Sequence, residues 1–184
     1  MKNRGMLNKT RFIFLLCLMC IISVVRAETF YEASVGVSRM ALDITQKRGP
    51  AFEDNSNAIN IAIGAYRQSN EKSAWGGVVE YIGPIGRDDL PGSGRLIGFR
   101  PLNYLRNMGR NISYELYAGA AQYDWRKAAN GYYGGFNLRY EIFDNRLGLA
   151  VDVKYFQDLA FDSPQGDDIV DGFNTGIKLI YRFK

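Results

Sequence analysis

Four carboxylates fall close together near the C-terminus: Asp162, Asp167, Asp168 and Asp171. Carboxylate oxygens are the donors Ca²⁺ takes, but these four lack the spacing of a dedicated Ca²⁺ loop and read as a solvated acidic loop. Gly92, Gly94 and Gly98 in "GSGRLIG" miss the dinucleotide fingerprint, and a strand pattern follows where a helix is required. The chain contains no histidine. A Ser or Asp nucleophile therefore lacks its usual base near neutral pH. No catalytic residue, cofactor-binding residue or metal ligand is assigned, and no cofactor is expected. The residues that remain are ten charges held at regular parity: Glu32, Glu80, Glu115, Glu141 and Asp152 against Arg100, Arg139, Lys154, Lys178 and Arg182. Five acids face five bases. Charges withdrawn from water must pair or stay hydrated, so this set predicts a paired polar interior.

The elements that carry them alternate. In "GYYGGFNLRYEI" (131–142) Tyr132, Phe136, Leu138, Tyr140 and Ile142 share one parity, and Tyr133, Asn137, Arg139 and Glu141 the other. Successive side chains of a strand point to opposite faces, so this is a strand with one oily and one polar side. The pattern recurs eight times, near 29–41, 57–67, 74–83, 94–103, 111–123, 131–142, 147–157 and 170–183. The fourth segment is the least regular; Ile97 and Phe99 are placed outward because the other phase puts Arg100 on the oily side. Compact polar turns at 68–73, 105–110 and 144–146 alternate with longer connections at 43–56, 84–94 and 159–169 and an intermediate one at 124–130. Short turns at one end and long loops at the other predict an all-β, eight-stranded antiparallel up-and-down barrel of the outer-membrane type.

The N-terminus supports export. Lys2, Arg4, Lys9 and Arg11 precede an apolar run from 12 to 25, and Val25-Arg26-Ala27 puts small residues at the −3 and −1 positions before Glu28. This is the layout of a secretory signal peptide over 1–27, leaving a barrel over 28–184. The run is short of the roughly 20 residues a spanning helix needs. The leader holds five bases and no acid, so the formal charge of +4 becomes −1 for the remaining 157 residues. Apparent basicity leaves with it, and so does the main support for nucleic-acid binding. Cys17 and Cys20 leave too, so the mature chain has no thiol chemistry.

Aromatics on the oily side sit near strand ends: Trp75 and Tyr81, Tyr132 and Tyr140, Phe173 and Tyr181, with Phe183 last. Eight strand residues tilted by roughly 40° cover about 20 Å of membrane normal, so these rings are candidates for the two interfacial girdles. The C-terminal "TGIKLIYRF" (175–183), with Leu179, Tyr181 and Phe183 at alternating positions, resembles the insertion signal of Gram-negative outer-membrane barrels, although Lys184 follows where that signal ends on its aromatic. Together with the strand count, the chain resembles the small eight-stranded class of OmpX and the OmpA membrane domain. The resemblance implies the bacterial outer membrane, assembly through the C-terminal strand, a monomer, no enzyme activity, and contact with outer-membrane lipid. Lys47, Arg48, Arg126 and Lys127 are the cations expected to meet lipopolysaccharide phosphates. The favoured role is structural or surface interaction around a filled lumen. The competing role is a narrow solute channel, for which Gly36, Gly64, Gly76, Gly119, Gly135, Gly148 and Gly176 on the polar side would leave space. If the leader is removed as expected, mass spectrometry of exported protein finds a chain beginning at Glu28; an intact Met1 terminus would make residues 1–27 an anchor.

Overall fold

A strand placed in lipid must hand every backbone donor and acceptor to a neighbouring strand, and a sheet satisfies that rule only by closing. The computed structural model, which describes residues 28–46, 49–86, 94–125, 127–143, 146–163 and 166–183, does so. Its eight strands are β1 (Thr29–Thr45), β2 (Phe52–Asn70), β3 (Ser73–Pro84), β4 (Arg95–Asn107), β5 (Ile112–Trp125), β6 (Lys127–Phe143), β7 (Leu147–Ser163) and β8 (Gly166–Phe183). Each pairs antiparallel with the next, and β8 closes on β1. Residues 1–27, Lys47, Arg48, Gly92, Arg126 and Lys184 lie outside the described residues, as do the side chains of Lys127, Asp162, Asp167 and Asp168.

The register can be followed once around the wall. Phe30 pairs with Tyr66, then Gly76, Asn103, Tyr117, Gly135, Lys154 and Asn174, and the path returns to β1 at Met40, ten residues beyond its start. Eight strands with a shear of ten give a tilted, narrow barrel whose interior side chains can just fill.

β4 is irregular because of Pro101. Proline cannot donate to a ladder, so it is confined to bulges and edges. The register slips between Phe99 and Leu102, and Pro101 and Leu102 both face outward. The extra residue moves the inward parity from even to odd, so that Arg100 and Asn103 both point into the bore. The Asn103 amide then donates to the carbonyls of Arg100 (2.8 Å) and Gly76 (3.3 Å), which replaces bonds the bulge removes. A second bulge lies in β7, where Asp158 adopts φ 56° and its N–H donates to the Asp171 carboxylate at 2.8 Å.

Through the middle of the wall the oily parity faces out: Val35, Ile61, Val79, Leu116, Leu138, Val151 and Ile177 are all exposed. Nearer the loop end the polarity exchanges. Asp43, Glu53, Gln122, Asp124 and Asn130 face out, while Met40, Leu42, Ile44, Leu96, Tyr123, Phe156, Leu159 and Val170 are buried inside. The connections expected at 43–56, 124–130 and 159–169 are therefore much shorter than the alternation implied, whereas the one expected at 84–94 spans 85–94. β5 and β6 are separated by residue 126 alone, and β7 and β8 by 164 and 165. About ten strand residues suffice to cross a bilayer, and β1, with 17, carries on past that need. Its outer face then meets water and its inner face makes an ordinary apolar core.

Two expectations test this inversion. Val151→Arg puts charge on the mid-wall lipid face and is expected to cost about 2–4 kcal/mol, read by urea unfolding in lipid. Leu42→Asp, inside the loop-end core, should destabilise the barrel, whereas Ala41→Asp, one residue away on the outer face, should not; equal effects would refute the exchange of faces.

Candidate functional site

The bore concentrates buried charge. All ten charges named from the sequence project inward, and they sort into two layers by their height on the strands. Nearer the turn end, Arg139 on β6 donates to Glu32 on β1 at 2.7 Å and to Glu115 on β5. Glu115 also accepts from Tyr66 Oη (2.6 Å) and the Asn137 amide (2.6 Å). Arg182 on β8 reaches Glu32 through Nε (3.0 Å) and Nη2 (2.9 Å), and lies 3.7 Å from Glu141. Its guanidinium covers the Phe30 ring at 4.4 Å, and Phe30 stacks on Tyr66 at 5.3 Å. Cation, ring and ring form one packed column, the arrangement in which a desolvated cation gains most from an aromatic face.

The second layer lies above the first. Lys154 and Lys178 both bond one oxygen of Asp152, at 2.6 and 2.8 Å, and Tyr117 Oη donates to the other at 2.6 Å. Lys154 also reaches Glu80 at 3.2 Å. Arg100 lies 3.9 Å from Glu80 and 4.1 Å over the Tyr117 ring. The lower layer holds two bases and three acids, the upper three bases and two acids. The overall balance thus conceals two layers of opposite sign, which attract one another along the bore. A void of about 20 Å³ lies between them, walled by Arg100 and Lys178 on one side and Glu32, Glu115 and Arg139 on the other. That is room for a single water.

Gly36, Gly76 and Gly135 do not leave the space expected of them. A Cβ on Gly36 would strike the Lys178 stem, one on Gly76 the Tyr66 ring, and one on Gly135 the Tyr117 hydroxyl. These three glycines are notches already filled by long neighbours, whereas Gly119 and Gly148 meet only backbone. The partners Tyr66, Tyr117 and Asn137 were not singled out from the sequence, though all have the inward parity; Asn103 has the outward parity of its segment and faces in only through the Pro101 bulge. The apolar plug above the charges was missed as well, because its members lie where the oily parity switches.

Every aromatic named as a rim residue lies on the outer face: Trp75, Tyr140, Tyr181 and Phe183 toward the turn end, and Tyr81, Tyr132 and Phe173 toward the loop end. Tyr104 and Tyr114 extend the turn-end arc, with ring centroids 4.8 Å from Trp75 to Tyr104 and 6.3 Å from Tyr104 to Tyr114. Tyr155 extends the loop-end arc, 4.9 Å from Phe173. Of the acidic group near the C-terminus, Asp171 alone has a described side chain, and it serves the β7 bulge.

No protein-family model and no curated protein matches the chain. Solved structures do. Neisserial surface protein A is similar with a TM-score of 0.52 at 9% identity, over 85% of this chain and 99% of that one. The attachment invasion locus protein Ail of Yersinia pestis, solved with the heparin analogue sucrose octasulfate, gives 0.49 at 12% identity, over 85% and 99%. OprG of Pseudomonas aeruginosa gives 0.49 at 12%, over 85% and 97%. These are eight-stranded outer-membrane barrels. At such identities the likeness concerns fold alone, and the fold of this chain is that of the bacterial outer-membrane barrels.

Removing one partner of a buried pair leaves an uncompensated charge. Arg139→Met removes the cation bonded to Glu115, leaves Glu32 to Arg182 alone, and is expected to cost about 3–5 kcal/mol. Glu115→Gln, at a fully buried carboxylate, should destabilise more than Glu141→Gln, whose single contact is long; both are read as urea midpoints in the same detergent.

Proposed function

With an outer-membrane barrel as the premise, we propose that this protein is a closed, non-enzymatic integral barrel of the bacterial outer membrane whose role is structural or one of surface interaction. Its loop end meets lipopolysaccharide or external ligands, with Lys47, Arg48, Arg126 and Lys127 as the candidate cations. It acts as a monomer inserted through its C-terminal strand, and the two outer arcs of aromatic rings anchor it at the two membrane interfaces.

The observation that carries this reading is the obstructed bore. A vestibule of about 990 Å³ opens at the turn end, lined by Phe30, Ala74, Leu105 and Arg182 among others. Above its floor come the stacked Tyr66 and Phe30, the two charge layers, and then the apolar plug of Met40, Leu42, Leu96, Phe156 and Leu159. A solute crossing would have to separate buried ion pairs in a bore with little room for water, and then cross an apolar plug. Each step costs several kcal/mol, so a filled interior supports presentation over transport.

Planar-bilayer recording on folded protein tests it. Membranes should stay electrically silent. Steady, discrete conductance steps would overturn the closed-barrel reading and make Arg100, Arg139, Lys154 and Lys178 the residues lining the path.

A further inference from the structure

The mature chain is nearly neutral, yet its two ends are not. At the turn end the described charges are Arg67, Lys72, Arg106, Arg110 and Arg146 against Glu28 and Glu71. Asp144 and Lys184, which belong to the same end by sequence, cancel one another. At the loop end the described charges reverse: Arg39 and Arg95 against Asp43, Glu53, Asp54, Asp124, Asp158 and Asp171. A positive turn end on a chain of net charge −1 is a feature of placement, not of composition.

The cations are also placed at a particular depth. Arg106 on β4 pairs across the ladder with Tyr114 and follows Tyr104 on the same outward face. Arg67 pairs with Trp75. Lys72, Arg110 and Arg146 lie in or beside the three turns immediately below and are exposed. Amphipathic rings settle at the headgroup level of a bilayer, so cations one step beyond them stand where lipid phosphates are. Their position outside the wall, beside the rings, distinguishes a lipid contact from a ligand held in the bore.

We propose that the basic collar formed by Lys72, Arg106, Arg110 and Arg146 binds anionic phospholipid headgroups in the leaflet at the turn end, and selects them over zwitterionic ones. Anionic headgroups attract basic residues near the surface, and the attraction fades beyond a Debye length.

Trp75 is a built-in reporter. It is half-exposed on the lipid face beside the collar, and the sequence has one other tryptophan, Trp125. The mature chain carrying Trp125→Phe would be refolded into vesicles of phosphatidylcholine and phosphatidylglycerol at equal fractions, with bromine on the acyl chains of one lipid or the other. Folding is checked by circular dichroism and by heat-dependent gel mobility. Brominated phosphatidylglycerol should quench Trp75 at least about twofold more strongly than brominated phosphatidylcholine at low salt. The preference should vanish near 1 M salt and in the folded Lys72→Gln, Arg106→Gln, Arg110→Gln, Arg146→Gln variant. Equal quenching by the two lipids in the unsubstituted collar would overturn the proposal, as would a preference that survives in the variant. Equal quenching together with salt-sensitive sedimentation on purified peptidoglycan would overturn it in favour of an anionic wall polymer.

Discussion

Hydrogen bonds that cannot be made to lipid govern this molecule. Each strand must satisfy its neighbours on both sides, and the wall must therefore close. Closing eight strands with a shear of ten leaves a bore too narrow for bulk water and too polar to be left empty. Everything inside follows from that confinement. Carboxylates and cations that would be scattered on a soluble surface must here find partners at short range, and Tyr66, Tyr117 and Asn137 serve the oxygens that the cations do not reach. Even the bulge at Pro101 obeys the rule, since Asn103 takes up the carbonyls it frees.

The second governing constraint is that the barrel is taller than the lipid it crosses. Below the loop-end arc of rings, oil is outside and charge is inside; above it the two exchange. The upper part is built like a water-soluble barrel, with a conventional apolar core, on top of a membrane barrel with a charged one. The apolar core also seals the charged interior from the outside, so one change of environment both terminates the membrane-facing pattern and closes the bore.

This explains what was legible in the sequence and what was not. A single parity names the lipid face of seven of the eight segments, because within the membrane the environment on each side is uniform; in β4 it switches at the Pro101 bulge. The ten inward charges are legible for the same reason. The loop-end strands are not, because the rule used to find strands there was a constant oily parity. In β1 that parity ends at Val37, and Met40, Leu42 and Ile44 resume it one residue out of step. The signal was present as a phase change and resembled the onset of a loop. Gly36, Gly76 and Gly135 misled in a different way. Their lack of a side chain is visible in the sequence, whereas the Lys178 stem and the Tyr66 and Tyr117 rings that fill those notches come from neighbouring strands and depend on register. The splitting of a balanced charge set into two unequal layers is likewise a matter of height on tilted strands, which parity does not carry.

Glu32 sits four residues into the first strand, and the cations that neutralise it arrive from β6 and β8, 107 and 150 residues later. Until nearly the whole chain has been delivered, this carboxylate has no counter-ion on the wall it occupies. A half-built sheet therefore cannot shut around it without confining a bare charge, and a sheet lacking its final strand remains short of Arg182. The inner network thus ties the first strand to the sixth and the last, and the ion pairs on Glu32 are complete only when β8 is in place.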